Sequence, residues 1–130
     1  MNYEITFLPD EPICIITFLD GWDTPEGIKV RAQAFRNLLD QATEPLYLIV
    51  DFTQTKMSLD GVIRSANRFA RGPDAIFHHP MRKEILLVST EKLARMVAHG
   101  LQSDVFGHLH IRIFSTLEDA LAHIRTQHTS

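Results

Sequence analysis

Cysteine is almost absent from this chain of 130 residues: the single one, Cys14, rules out an internal disulfide. It lies inside the apolar run 13–19, where it reads as a small core residue rather than a nucleophile, and a lone buried thiol fits a cytoplasmic protein. Long apolar runs are missing too. No stretch of about twenty apolar residues occurs, and the opening MNYEITFL lacks a basic segment followed by a long apolar one, so neither a membrane span nor an export signal is expected. Neither sign of charge dominates. Thirteen Lys and Arg stand against sixteen Asp and Glu, a net charge of −3, which argues against a general nucleic-acid binder. The six glycines are scattered, and no glycine-rich phosphate loop, dinucleotide fingerprint or G-x-S-x-G elbow occurs, so no enzymatic activity and no cofactor are expected. His108-Leu109-His110 puts two imidazoles on one strand face, but zinc takes three or four ligands and nothing supplies the others; the adjacent His78 and His79 need not converge. No metal site is expected.

What is present specifies one layered domain. Hydrophobic residues make up 45% and charged residues 22%, enough for a single core that buries about two-thirds of the extended-chain surface. Residues 3–8 and 13–19 are strand-like and flank the turn Pro9-Asp10-Glu11-Pro12, which predicts an antiparallel hairpin. Thr24-Pro25-Glu26 then supplies a capping hydroxyl, a proline at the first helical position and an acid in the first turn. Ile28, Ala32, Phe35, Leu39 and Ala42 form the apolar stripe of that helix, with Lys29, Gln33, Arg36 and Asp40 on its wet side. Glu44-Pro45 ends it, and the unbroken apolar run 46–50 predicts a central strand.

The unit repeats. Leu59, Val62, Ile63, Ala66, Phe69 and Ala70 give a second helical stripe stopped at Gly72-Pro73; residues 85–88 form an apolar strand; Leu93, Met96, Val97 and Leu101 mark a third helix. Leu109, Ile111 and Ile113 alternate with His108, His110 and Arg112 as an edge strand, and Ser115-Thr116-Leu117-Glu118 is a capping box opening a last helix on Leu117, Ala120, Leu121 and Ile124. The order is β-β-α-β-α-β-α-β-α, an α/β domain with a mixed, mostly parallel sheet covered by helices.

Ligands and partners of such sheets meet the loops beyond the carboxyl ends of the parallel strands. The loops there are Gly21-Trp22-Asp23, the stretch DFTQTKMSLDG at 51–61, Ser89-Thr90 and Phe114-Ser115-Thr116, each supplying a hydroxyl that caps a helix. Trp22, in a short polar turn, is read as part of an exposed apolar patch, with a core position as the alternative. Asp51 at a strand end suggests a receiver aspartate, but Asp10 and Glu11 lead into a strand rather than a helix, and no lysine comes after Ile113.

Over residues 3–126 the order of elements, together with LYLIVDFTQTKMSLDG, resembles the STAS family of anti-sigma-factor antagonists and more closely its SpoIIAA-like branch, whose layout is related to CRAL-TRIO lipid-binding domains. Asp51 matches that family's strand-end acid and Gly61 its helix-start glycine. The resemblance implies a non-enzymatic regulatory protein-interaction domain in the cytoplasm, with a partner surface on Trp22, Asp51, Thr53, Ser58, Asp60, Gly61, Arg64 and Arg68. The position just before the glycine, where those antagonists carry the switchable hydroxyl, holds Asp60 here. Ser58 is read as a helix cap, while Ser58, Thr53 and Thr55 are the candidate phosphorylation sites.

Arg64, Arg68 and Arg71, with Lys56, form a basic stripe that reads first as a solvated face and second as a contact for an acidic partner or lipid headgroup. The helix 91–102 carries a wide apolar arc, Leu93, Ala94, Met96, Val97, Ala98 and Leu101, which fits either a homodimer contact or cover by the loop 72–81 with Ile76 and Phe77. A small-molecule or lipid carrier, with an apolar pocket at the strand ends, is the alternative function.

Overall fold

The computed structural model describes residues 2–71, 79–101 and 111–128. Its elements run β1 (Tyr3–Phe7), β2 (Ile13–Phe18), α1 (Pro25–Asp40), β3 (Leu46–Asp51), α2 (Leu59–Arg71), β4 (Arg82–Val88), α3 (Lys92–Leu101), β5 (Ile111–Phe114) and α4 (Leu117–His128). The five strands form one sheet in chain order. β1 and β2 are antiparallel, and β2, β3, β4 and β5 are parallel neighbours. The expected layered α/β architecture is therefore the one adopted.

A sheet that grows in one direction through right-handed crossovers must carry all its crossover helices on one face. Cys14, Ile16 and Phe18 of β2, Leu46 and Leu48 of β3 and Ile85 and Leu87 of β4 pack there against Ala32 and Phe35 of α1, Val62 of α2 and Ala94 of α3. The alternate residues Ile13, Ile15, Tyr47, Ile49, Leu86 and Val88 face Ala120 and Ile124 of α4. The central strands are apolar on both faces because both are covered.

Not every cap falls where the sequence predicts it. Thr24 accepts from the Gly27 amide as expected, but α4 is capped by Thr116, whose hydroxyl accepts from the Asp119 amide, one residue later than the Ser115–Glu118 box. The helix stripes also need correction. In α1, Ile28, Ala32, Phe35 and Leu39 are buried, and so is Arg31, at 0% exposure. In α2, Val62 is buried but Leu59 is 54% and Ile63 45% exposed, and Met96 of α3 is 67% exposed. Gly72-Pro73, Ile76, Phe77, His78 and the His108-Leu109-His110 run lie outside the described residues, as do the side chains of Ala66, Phe69, Ala70, Arg71 and Leu101.

Cys14 is fully buried, and desolvation pushes its thiol up to about 12. The folded value lies above the unfolded one of 9.0, so the stabilisation from keeping the proton is complete below pH 9 and is lost as pH rises through 12. At pH 8 iodoacetamide should alkylate the native chain at least ~100-fold more slowly than the urea-unfolded chain. Equal rates would contradict a core position.

Candidate functional site

Three loops meet beyond the carboxyl ends of β2, β3 and β4, and hydrogen bonds between them hold the surface in one shape. Thr55 Oγ1 donates to Asp20 Oδ1 at 2.6 Å. Ser58 Oγ donates to Asp23 Oδ2 at 2.7 Å and accepts from the Gly61 amide at 3.2 Å. Met57 N donates to Glu91 Oε2 at 3.0 Å, and Glu91 N in turn donates to Ser89 Oγ. The Ser89 hydroxyl thus bonds an amide ahead of α3 rather than one in its first turn.

Trp22 sits beneath this lacing and not on it. Only 2% of it is exposed; its ring lies 5.3 Å from Phe18 and 5.1 Å from Phe52, and Nε1 donates to the Lys56 carbonyl at 3.1 Å. The expected exposed patch at Trp22 is corrected: the indole can satisfy its one donor on a backbone carbonyl while its apolar body is buried, so the core position wins.

The residue that organises this corner is one that the sequence did not single out. Arg31 of α1 is fully buried, with Nη1 donating to the Trp22 carbonyl at 2.8 Å and Nη2 to Ser65 Oγ of α2 at 3.0 Å. Its guanidinium carbon stands 4.4 Å from the centre of the Phe18 ring and 5.5 Å from that of Trp22. Nε has no hydrogen-bond partner. Desolvation lowers its pKa to about 10, against smaller opposing effects of Tyr3 and Asp23. A signal existed: Arg31 falls three residues after Ile28 and four before Phe35, inside the buried stripe.

The nominated residues divide into two groups. Asp51 is 6% exposed, lies on the α4 face of β3 with Ile49, and accepts the Thr53 amide at 2.8 Å, so it closes its own turn and does not join the outer surface. Gly61 is buried as well, and a Cβ there would stand 2.4 Å from Asp23 Cβ and 2.9 Å from the Trp22 ring. Thr53, Asp60 and Arg64 are exposed and Ser58 and Arg68 half-buried. The structure therefore brings Ser58, Asp60 and Arg64 together at the start of α2, beside the exposed Leu59 and Ile63.

An open groove of about 670 Å³ runs over the lacing, lined by Asp20, Asp23, Thr55, Lys56, Ser58 and their neighbours. Its acids and hydroxyls are largely spent on one another. Among the described residues no group of three or more His, Cys, Asp or Glu could hold a metal. His79 is engaged elsewhere: Nδ1 accepts from the Met81 amide, so Nε2 carries the proton shared with Asp40 at 2.8 Å. No described helix is long and apolar enough to cross a membrane. The chain matches no family model and no curated protein sequence.

Proposed function

We propose that this is a STAS-like, non-enzymatic cytoplasmic interaction domain that binds a regulatory protein through the N-terminal half of α2. The observation that carries the reading is the pair Leu59 and Ile63, one helical turn apart, each about half-exposed, on a helix whose start is pinned by Ser58, Asp23 and Gly61. Two large apolar side chains bracketed by Asp60 and Arg64 resemble the centre and rim of a small protein interface, apolar inside and charged around. A pre-organised backbone lowers the ordering cost of binding.

The reading includes a constitutive surface. The Ser58 hydroxyl is already both donor and acceptor, and a phosphate on it would stand against the Asp23 carboxylate, while Asp60 holds the place of a switchable hydroxyl with a permanent charge. Pull-down with the unmodified chain and with Leu59→Asp plus Ile63→Asp tests it. Both side chains point to solvent, so the double variant should fold, as circular dichroism would verify, and should lose the recovered partner by more than ~10-fold. Unchanged recovery would sink the surface. The second reading, a small-molecule or lipid carrier, calls for an apolar pocket at the strand ends, whereas the groove there is lined by Asp20, Asp23, Thr55, Lys56 and Ser58; a ligand held in it would show in native mass spectrometry of the purified chain.

A further inference from the structure

We infer that the open edge of β1 and the adjoining flank of α1 form a two-fold interface with a second copy of this chain. β1 ends the sheet. Leu8 N donates to Ile13 O and Leu19 N to Asn2 O, so the even residues of β1 bond to β2 and the amides and carbonyls of Tyr3, Ile5 and Phe7 point to the open edge. Of the devices that blunt an edge, proline and lysine are absent from the strand Tyr3–Phe7, and its one charged side chain, Glu4, alternates onto the face opposite Tyr3, Ile5 and Phe7.

The edge is complementary to itself. Antiparallel pairing centred on Ile5 sets Ile5 opposite Ile5 of the second copy and Tyr3 opposite its Phe7, so that every outward backbone group finds a partner. Phe7, 56% exposed, then packs on an aromatic ring of the other copy, an arrangement that stabilises sheets. On the other face Glu4 meets Thr6, so no like charges oppose each other. Any extended strand could meet the backbone spacing of this edge; a second copy also sets Tyr3 against Phe7 and Ile5 against Ile5, with no carboxylate facing another.

The helix layer agrees. Val30, Ala34, Asn37, Leu38 and Gln41 recur along one flank of α1, none of them charged, whereas Lys29, Arg36 and Asp40 lie on the outer side. Ala34, Asn37, Leu38 and Gln41 line a groove of about 690 Å³ together with Ile5 and Phe7 of β1 and with two acids, Glu44 and the Arg125-paired Glu11, and Val30, one turn further, is 42% exposed. A two-fold axis normal to the sheet keeps both α1 helices on the same face, so these charge-free flanks approach each other over a continuous sheet of two copies. The α1 flank and the β1 edge thereby favour this contact over one through α3.

Light scattering on the eluted chain should give twice the 14.8-kDa chain mass at about 100 µM, and both Phe7→Asp and Phe7→Pro should weaken the dimer by ~100-fold or more. The Phe7 amide points outward, so proline there removes no bond to β2. Met96→Glu on α3 should leave the dimer intact. In the unmodified chain, hydrogen exchange at the Ile5 and Phe7 amides should slow as concentration rises. A monomer at that concentration, a dimer lost in Met96→Glu but kept in both Phe7 variants, or concentration-independent exchange at those amides would overturn the proposal.

Discussion

Replacing Arg31 with alanine should destabilise the domain by about 3 kcal/mol, because the change leaves a cavity and strands the Trp22 carbonyl and the Ser65 hydroxyl without their donors. For a chain of this size that is a fall in Tm of about 10 °C. Arg31→Met separates the contributions. The thioether fills much of the same volume against Phe18 and Trp22, and the cost of burying a charge with no carboxylate partner disappears, so its stability should stay within about 1 kcal/mol of the parent. That burial cost is also readable against pH. Desolvation holds the folded pKa below the ordinary guanidinium value, so this group makes stability rise, not fall, as the solution becomes strongly alkaline. Thermal unfolding followed by fluorescence of Trp22, the single tryptophan, measures all of this. An Arg31→Ala variant as stable as the parent would show that the guanidinium holds nothing together.

Gly61→Ala should be nearly as severe for the opposite reason. Its added methyl would lie 2.4 Å from Asp23 Cβ, 2.7 Å from Ser58 Oγ and 2.9 Å from the Trp22 ring. Asp23 Cβ is anchored to the backbone and the indole is packed on Phe18 and Phe52, so neither can yield without moving α2 away from the loop between β2 and α1. Overpacking of this kind costs about 3 kcal/mol, and here it would also part Ser58 from Asp23 and set the Trp22 indole loose from the Lys56 carbonyl. Unfolding should occur about 10 °C lower, with Trp22 emission shifted to the red. An unshifted spectrum and an unchanged Tm would mean that the helix start is looser than the described contacts require.

These two positions also mark how far the sequence could be read. The hairpin, the Thr24 cap and the doubly covered strands were legible because each depends on neighbours within a few residues: two short alternating runs about a turn, a hydroxyl before a proline, an unbroken apolar run. Arg31 was not, since a charged side chain is taken as wet even when its spacing from Ile28 and Phe35 puts it on the packed side. The polar neighbours of Trp22 point to a surface position, but the carbonyl that satisfies its indole belongs to Lys56, distant in sequence. α2 shows the same difficulty in a helix. Leu59, Val62 and Ile63 fit one stripe, but which part of the stripe meets the sheet is decided by Gly61, whose missing side chain lets the helix turn Gly61, Val62 and Ser65 inward and leaves Leu59 and Ile63 outside. The residues nominated from Asp51 to Arg64 were therefore a mixture of a buried turn acid, a close-packed glycine and an outward surface. Only the last is accessible to a partner.

That outward surface is the central claim, and a photo-crosslinking residue placed at Ile63 tests it most directly, with Met96 as the control position because it is at least as accessible on the neighbouring helix. In cells, irradiation should give a discrete heteromeric adduct from position 63 and none from position 96. Absence of an adduct at 63, or the same adduct from both positions, would contradict the assignment of the start of α2 as the partner surface.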